Sequence, residues 1–86
     1  MEAMLVIRLL LVDDYHAIRR LVRRSVERTS DICVVGEAAD GESAILHAST
    51  LRPHVILMDC RMPGMGGIAA TAHLRTTVPQ STVIIV

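Results

Sequence analysis

Two short apolar runs, each closed by acid, constrain this chain more than anything else in it. Residues 6–12 read Val-Ile-Arg-Leu-Leu-Leu-Val and run into Asp13 and Asp14; residues 55–58 read Val-Ile-Leu-Met and run into Asp59. Nearly continuous apolar runs of this length suit strands buried on both faces, as in a parallel sheet covered by helices. Carboxylates at the ends of two such strands meet only if the strands lie side by side in the same direction. In open parallel sheets those carboxyl ends form the ligand crevice. Three acids brought together there repel one another unless a hard cation lies between them.

The rest of the chain alternates between helical and extended patterns. After β1 (6–12), Ile18, Leu21, Val22 and Val26 recur at helical spacing over residues 15–28, with Arg19, Arg20, Arg23, Arg24 and Arg28 filling most of the remainder. This predicts an amphipathic α1. Residues 32–38 predict β2. Asp40 is placed to cap α2, whose first turn holds Glu42 and Ser43, whose buried stripe is Ala44, Ile45, Ala48 and Leu51, and which stops before Pro53. Residues 55–58 form β3. The segment 60–67, with Pro63, Gly64, Gly66 and Gly67, must be a shaped loop. Residues 68–75 predict a short α3 with Ile68, Ala72 and Leu74 inward, and residues 82–86 predict β4.

The order βαβαβαβ implies an α/β doubly wound parallel sheet of flavodoxin-like form. With right-handed crossovers, a chain that steps from β1 to β2 in one direction and then back past β1 to β3 and β4 has the strand order 2-1-3-4, with α1 on one face and α2 and α3 on the other. In that order β1 and β3 are neighbours, which brings Asp13, Asp14 and Asp59 together where the winding reverses.

Composition sets further bounds. Eighty-six residues form at most one domain, 1–86, and the core must be aliphatic because Tyr15 is the only aromatic residue. A formal net charge of zero gives no global reason to bind nucleic acid or an anionic membrane. The arginines of α1 lack aromatic partners for base stacking, so a solvated helix face or a protein-docking surface accounts for them. Residues 5–12 are too short to cross a bilayer, carry Arg8 and lack a cleavage signal. Cys33 and Cys60 make no disulfide framework, so a reducing cytoplasm is expected. His16, His47, His54 and His73 match no compact metal-ligand spacing.

Leu11-Val12-Asp13-Asp14, Ile56-Leu57-Met58-Asp59, Met62-Pro63-Gly64-Met65-Gly66-Gly67 and the Asp-Gly-Glu-Ser-Ala segment at 40–44 together resemble one known family. It is the receiver domain of bacterial two-component response regulators, most closely receivers that precede a LuxR-type helix-turn-helix output domain. The resemblance implies that Asp59 accepts a phosphoryl group from a sensor histidine kinase or a histidine phosphotransfer protein. It implies Mg2+ held directly by Asp14 and Asp59, through water by Asp13, and by the backbone carbonyl of Arg61. It also makes α1 a surface that meets the partner's histidine-bearing helices. Such a domain takes part in its own phosphorylation and is not otherwise an enzyme. A haloacid-dehalogenase-like phosphatase would need Asp-x-Asp after its first strand, and Asp13-Asp14-Tyr15 does not supply it.

The chain departs from the family pattern twice. Gly66 stands where family members carry an acidic or other polar residue, so a side-chain bond to the start of α3 is missing. A full receiver also continues past β4 with a Thr or Ser, a helix, a fifth strand ending in Lys, and a last helix. The expectation is therefore a C-terminally truncated receiver with slow or absent phosphorylation, in which contact with nucleic acid would need an output domain absent from this chain. Self-association through β4 or the uncovered sheet face would compensate for the missing part. The alternative function is a receiver-like fragment that is not phosphorylated and acts only through protein contacts.

Overall fold

In a computed structural model, Leu9, Leu10, Leu11 and Val12 are all buried, as a strand covered on both faces requires. The structure describes residues 5–86, so the first four residues of the domain expected over 1–86 lie outside the described residues. The elements are β1 (Ile7–Val12), α1 (His16–Val26), β2 (Ile32–Ala38), α2 (Gly41–Leu51), β3 (Val55–Met58), α3 (Gly67–Thr77) and β4 (Thr82–Ile85). All three strand pairings are parallel and the spatial order is β2-β1-β3-β4, as expected for a chain that steps back past β1 after β2.

Successive β1 side chains point to opposite faces and so enter two different cores. Leu10 and Val12 join Ile56 and Met58 of β3 beneath α2 and α3, where Ala44, Ala48, Ala70 and Leu74 close the larger core. Leu9 and Leu11 join Val34 on the other face, packed by Val22 and Val26 of α1. Each fully buried Leu, Ile or Met side chain contributes about 1.5–3 kcal/mol of apolar transfer energy. The β1–β2 register slips between Leu9 and Leu10, leaving Val35 without a partner.

The helices differ from the sequence expectation in extent and in the face they bury. α1 covers residues 16–26 rather than 15–28. Its last turn closes with the Glu27 amide on the Arg23 carbonyl, and the Thr29 amide and hydroxyl then both take the Val26 carbonyl, ending the helix. No residue of α1 is fully buried. Val22 and Val26, one turn apart, set the contact line, and Leu21, rotated about 100° from Val22, is 63 % exposed. On α3 the expected inward set of Ile68, Ala72 and Leu74 is corrected to Gly67, Ala70 and Leu74; Ile68 and Ala72 face out. The close approach of Gly67 to the end of β3 rotates the helix into this setting.

α2 matches its expected stripe. The Asp40 carboxylate accepts the Ser43 amide at 2.7 Å, and these contacts with Ser43 hold the Asp40 carboxyl below its ordinary range. Its far end uses a residue from another element. The Arg8 guanidinium donates to the carbonyls of Leu51 and Arg52 at 2.6 and 2.9 Å. Arg52 itself takes the left-handed conformation at φ 48°.

Candidate functional site

The parallel ladder carries β1 and β3 past their last residues in step. Val12 pairs with Met58, the Asp59 amide donates to the Val12 carbonyl at 2.8 Å, and the Asp13 amide donates to the Ala38 carbonyl at 3.1 Å. Asp13, Asp14 and Asp59 therefore leave the sheet at one level. One carboxylate oxygen from each lies within 4.8 Å of the others, and all three residues are half-buried. At that separation each pair of charges repels by about 3 kcal/mol or more at an effective dielectric of about 20.

The three acids have different local ties. Asp13 Oδ1 accepts the Tyr15 amide at 2.9 Å, and Asp59 Oδ1 accepts the Arg61 amide at 3.1 Å. Asp13 is thus not the N-cap of α1. That position belongs to Tyr15, which has no side-chain cap bond, while Asp13 supports its amide from two residues earlier. Asp14 Oδ1 is shut off from solvent and has no hydrogen-bond partner among the described residues. A buried carboxylate oxygen without a partner is costly, and an oxygen-ligated divalent cation would remove that cost together with the mutual repulsion. A set of carboxylates with no thiolate or imidazole suits a hard ion such as Mg2+.

The loop after β3 holds Asp59 in place through its path. Gly64 has φ +72°, a turn conformation that glycine adopts without strain. Met62 is buried against the larger core, and Met65 packs at its edge. The Gly67 amide returns to the Cys60 carbonyl at 3.2 Å. Gly66 is the N-cap of α3 and offers no side-chain bond, as the sequence leads one to expect. Arg61 is exposed. Beside the acids a cleft of about 420 Å³, lined by Asp14, Asp40, Glu42, Pro63 and Met65 among others, opens the site to solvent.

Sequence reasoning missed a second group of charged residues. Arg19 and Arg23, expected on the solvated side of α1, turn back to Glu37 near the end of β2. Arg19 Nε donates to Glu37 Oε1 at 2.9 Å, and Arg23 donates to the other carboxylate oxygen. Burial pushes the Glu37 carboxyl up, but the bonds from Arg19 and Arg23 outweigh it and its pKa is lowered. The bond to Glu37 raises that of Arg23. A lone acid inside an otherwise apolar strand was the available signal.

The response regulator receiver domain family matches this chain over residues 9–86. Response regulator GacA of Pseudomonas protegens is 41% identical over 80 residues, which make up 93% of this chain and 38% of that protein. The chain thus spans less than half the length of this relative. The response regulator domain of Thermotoga maritima CheB superposes with a TM-score of 0.89 at 38% identity, covering 93% of this chain and 59% of that one. A LuxR-family two-component response regulator from Aurantimonas sp. SI85-9A1 gives a TM-score of 0.88 at 38% identity, covering 93% of this chain and 57% of that one.

Proposed function

This chain belongs to the response regulator receiver domain family, and on that premise we propose that it is a phosphoacceptor module in which Asp59 takes a phosphoryl group from a histidine-bearing partner. The observation that carries the reading is the trio of carboxylates, one of which, Asp14, has a buried oxygen with no hydrogen-bond partner among the described residues. In the transfer, an Asp59 oxygen bonds to phosphorus as the bond from phosphorus to the donor's imidazole nitrogen breaks. The nitrogen keeps the electron pair and takes up a proton. Asp59 is half-buried and tied by one oxygen to the Arg61 amide, so its carboxylate is oriented yet reachable. Asp13, Asp14, Asp59 and the Arg61 carbonyl are the groups that would hold Mg2+, which neutralises charge on the transferred phosphoryl group when bound.

The partner in this reading is a sensor histidine kinase or histidine phosphotransfer protein in the cytoplasm. The outer side of α1, with Arg20, Leu21 and Arg24 exposed, supports docking there. No helix among the described residues is long and apolar enough to cross a membrane. We place contact with nucleic acid in an output domain and not in this module. Exposed Ile84 and Ile85 on the edge strand β4 support self-association of the chain, which sedimentation over a wide concentration range tests.

Incubation with a small-molecule phosphodonor and Mg2+ is expected to add the mass of one phosphoryl group, and Asp59→Asn to abolish the gain. A folded chain that gains no mass would contradict the proposal and leave a module that works through protein contacts alone.

A further inference from the structure

The two arginines that share Glu37 differ in what else they hold. Arg19 Nη1 also donates to the backbone carbonyl of Asp13 at 2.6 Å and its Nη2 lies 3.4 Å from His16 Nδ1, while among the described residues Arg23 reaches only Glu27 and the Val34 carbonyl besides Glu37. The side chains of Arg19 and Glu37 are 14% and 21% exposed, so the bridge is largely removed from solvent. The Asp13 carbonyl lies in the same rigid plane as the Asp14 amide, so a bond that fixes this carbonyl fixes the plane from which Asp14 departs. Asp13 is then held at its amide by Ala38, at its carbonyl by Arg19, and at its carboxylate by Tyr15.

Resting on the reading of the acid trio as a divalent-cation site, we propose that Glu37 acts through Arg19 as a positioning residue for that site. Glu37 has two tasks in this arrangement. It orients the planar guanidinium so that its fork spans the Glu37 carboxylate and the Asp13 carbonyl at once. It also engages the positive charge, which would otherwise be free to pair with the nearby carboxylates in place of the cation.

The test is a Mg2+ titration of the chain and its variants, followed by the backbone amide NMR signals of Tyr15 and Arg61, the two amides bonded to the trio. Outer-shell partners of metal sites typically change affinity by about 10-fold or more when removed. Glu37→Ala and Arg19→Ala are expected to weaken Mg2+ binding on that scale, and Arg23→Ala to leave it within about 2-fold of the parent, because Arg23 does not touch the acidic loop. Thermal melts without metal separate loss of affinity from loss of fold. If Glu37→Ala does not fold, Arg19→Lys serves in its place, since an ammonium lacks the fork and is expected to weaken binding as well. Parent-like affinity in the folded Glu37 and Arg19 variants, or equal losses in the Arg19 and Arg23 variants, overturns the positioning role. A parent chain whose Tyr15 and Arg61 signals do not respond to Mg2+ overturns the cation site itself, and the positioning role with it.

Discussion

A side chain on Gly67 would place its Cβ 2.2 Å from the Asp59 carbonyl oxygen and 3.0 Å from the Cys60 Cα, both backbone atoms with little room to yield. At Gly66 the nearest such atom is 3.6 Å away, an ordinary contact. Gly67→Ala is therefore expected to cost about 1–3 kcal/mol in urea denaturation, and Gly66→Ala about 1 kcal/mol or less, through alanine's poorer fit to an N-cap alone. Equal costs would remove the close-approach explanation. Glu37 supplies a pH-dependent contribution. Its folded pKa is lowered, so the stabilisation is complete above the unfolded value of about 4.3 and is lost as pH falls through the folded value. Glu37→Ala should thus cost about 1–2 kcal/mol near neutral pH, discounted for the partly exposed Arg23, and the difference should shrink below about pH 4. A gap that widens in acid would contradict the bridge. Asp13, Asp14 and Asp59 were legible in the sequence because each ends an apolar run. Glu37 was not, because nothing local marks its bond to a helix fourteen or more residues away.

The contrast recurs for whole elements. The N-terminus of α2 was legible because its cap, Asp40, lies three residues from the amide it accepts. Its C-terminus was legible from Pro53, but the group that binds its last carbonyls was not, because the Arg8 guanidinium comes from 43 and 44 residues away. Arg8→Ala is expected to lower stability by about 1–2 kcal/mol and to speed amide exchange in the last turn of α2 more than in its first. Uniform exchange along the helix would count against the cap. The face that α3 buries was misread for a related reason. Periodicity shows that a helix has an apolar side, but with small residues all round, the contact of Gly67 with the end of β3 sets the rotation. On α1 the apolar spacing held for Val22 and Val26, while Ile18 and Leu21 are exposed and the inward turn of Arg19 and Arg23 depends on where Glu37 stands.

Across the molecule, the strand order β2-β1-β3-β4 matches the expectation from βα alternation, a step back past β1 and right-handed crossovers. That order brings the distant Asp59 beside the adjacent pair Asp13 and Asp14 in one pocket, at the place where the winding reverses. The pocket carries a stability cost that a bound cation would offset, so on the proposed reading the unfolding free energy of the whole chain is sensitive to the site. The most direct measurement compares the parent with Asp14→Asn at neutral pH, with and without Mg2+. Without the ion, Asp14→Asn is expected to be more stable by about 1–3 kcal/mol, because one repelling charge is gone. Mg2+ at about one hundred times its Kd should then add about 2.7 kcal/mol to the parent and little to the variant, closing or reversing the gap. A parent indifferent to Mg2+, together with a variant less stable than the parent in its absence, would contradict a shared cation pocket.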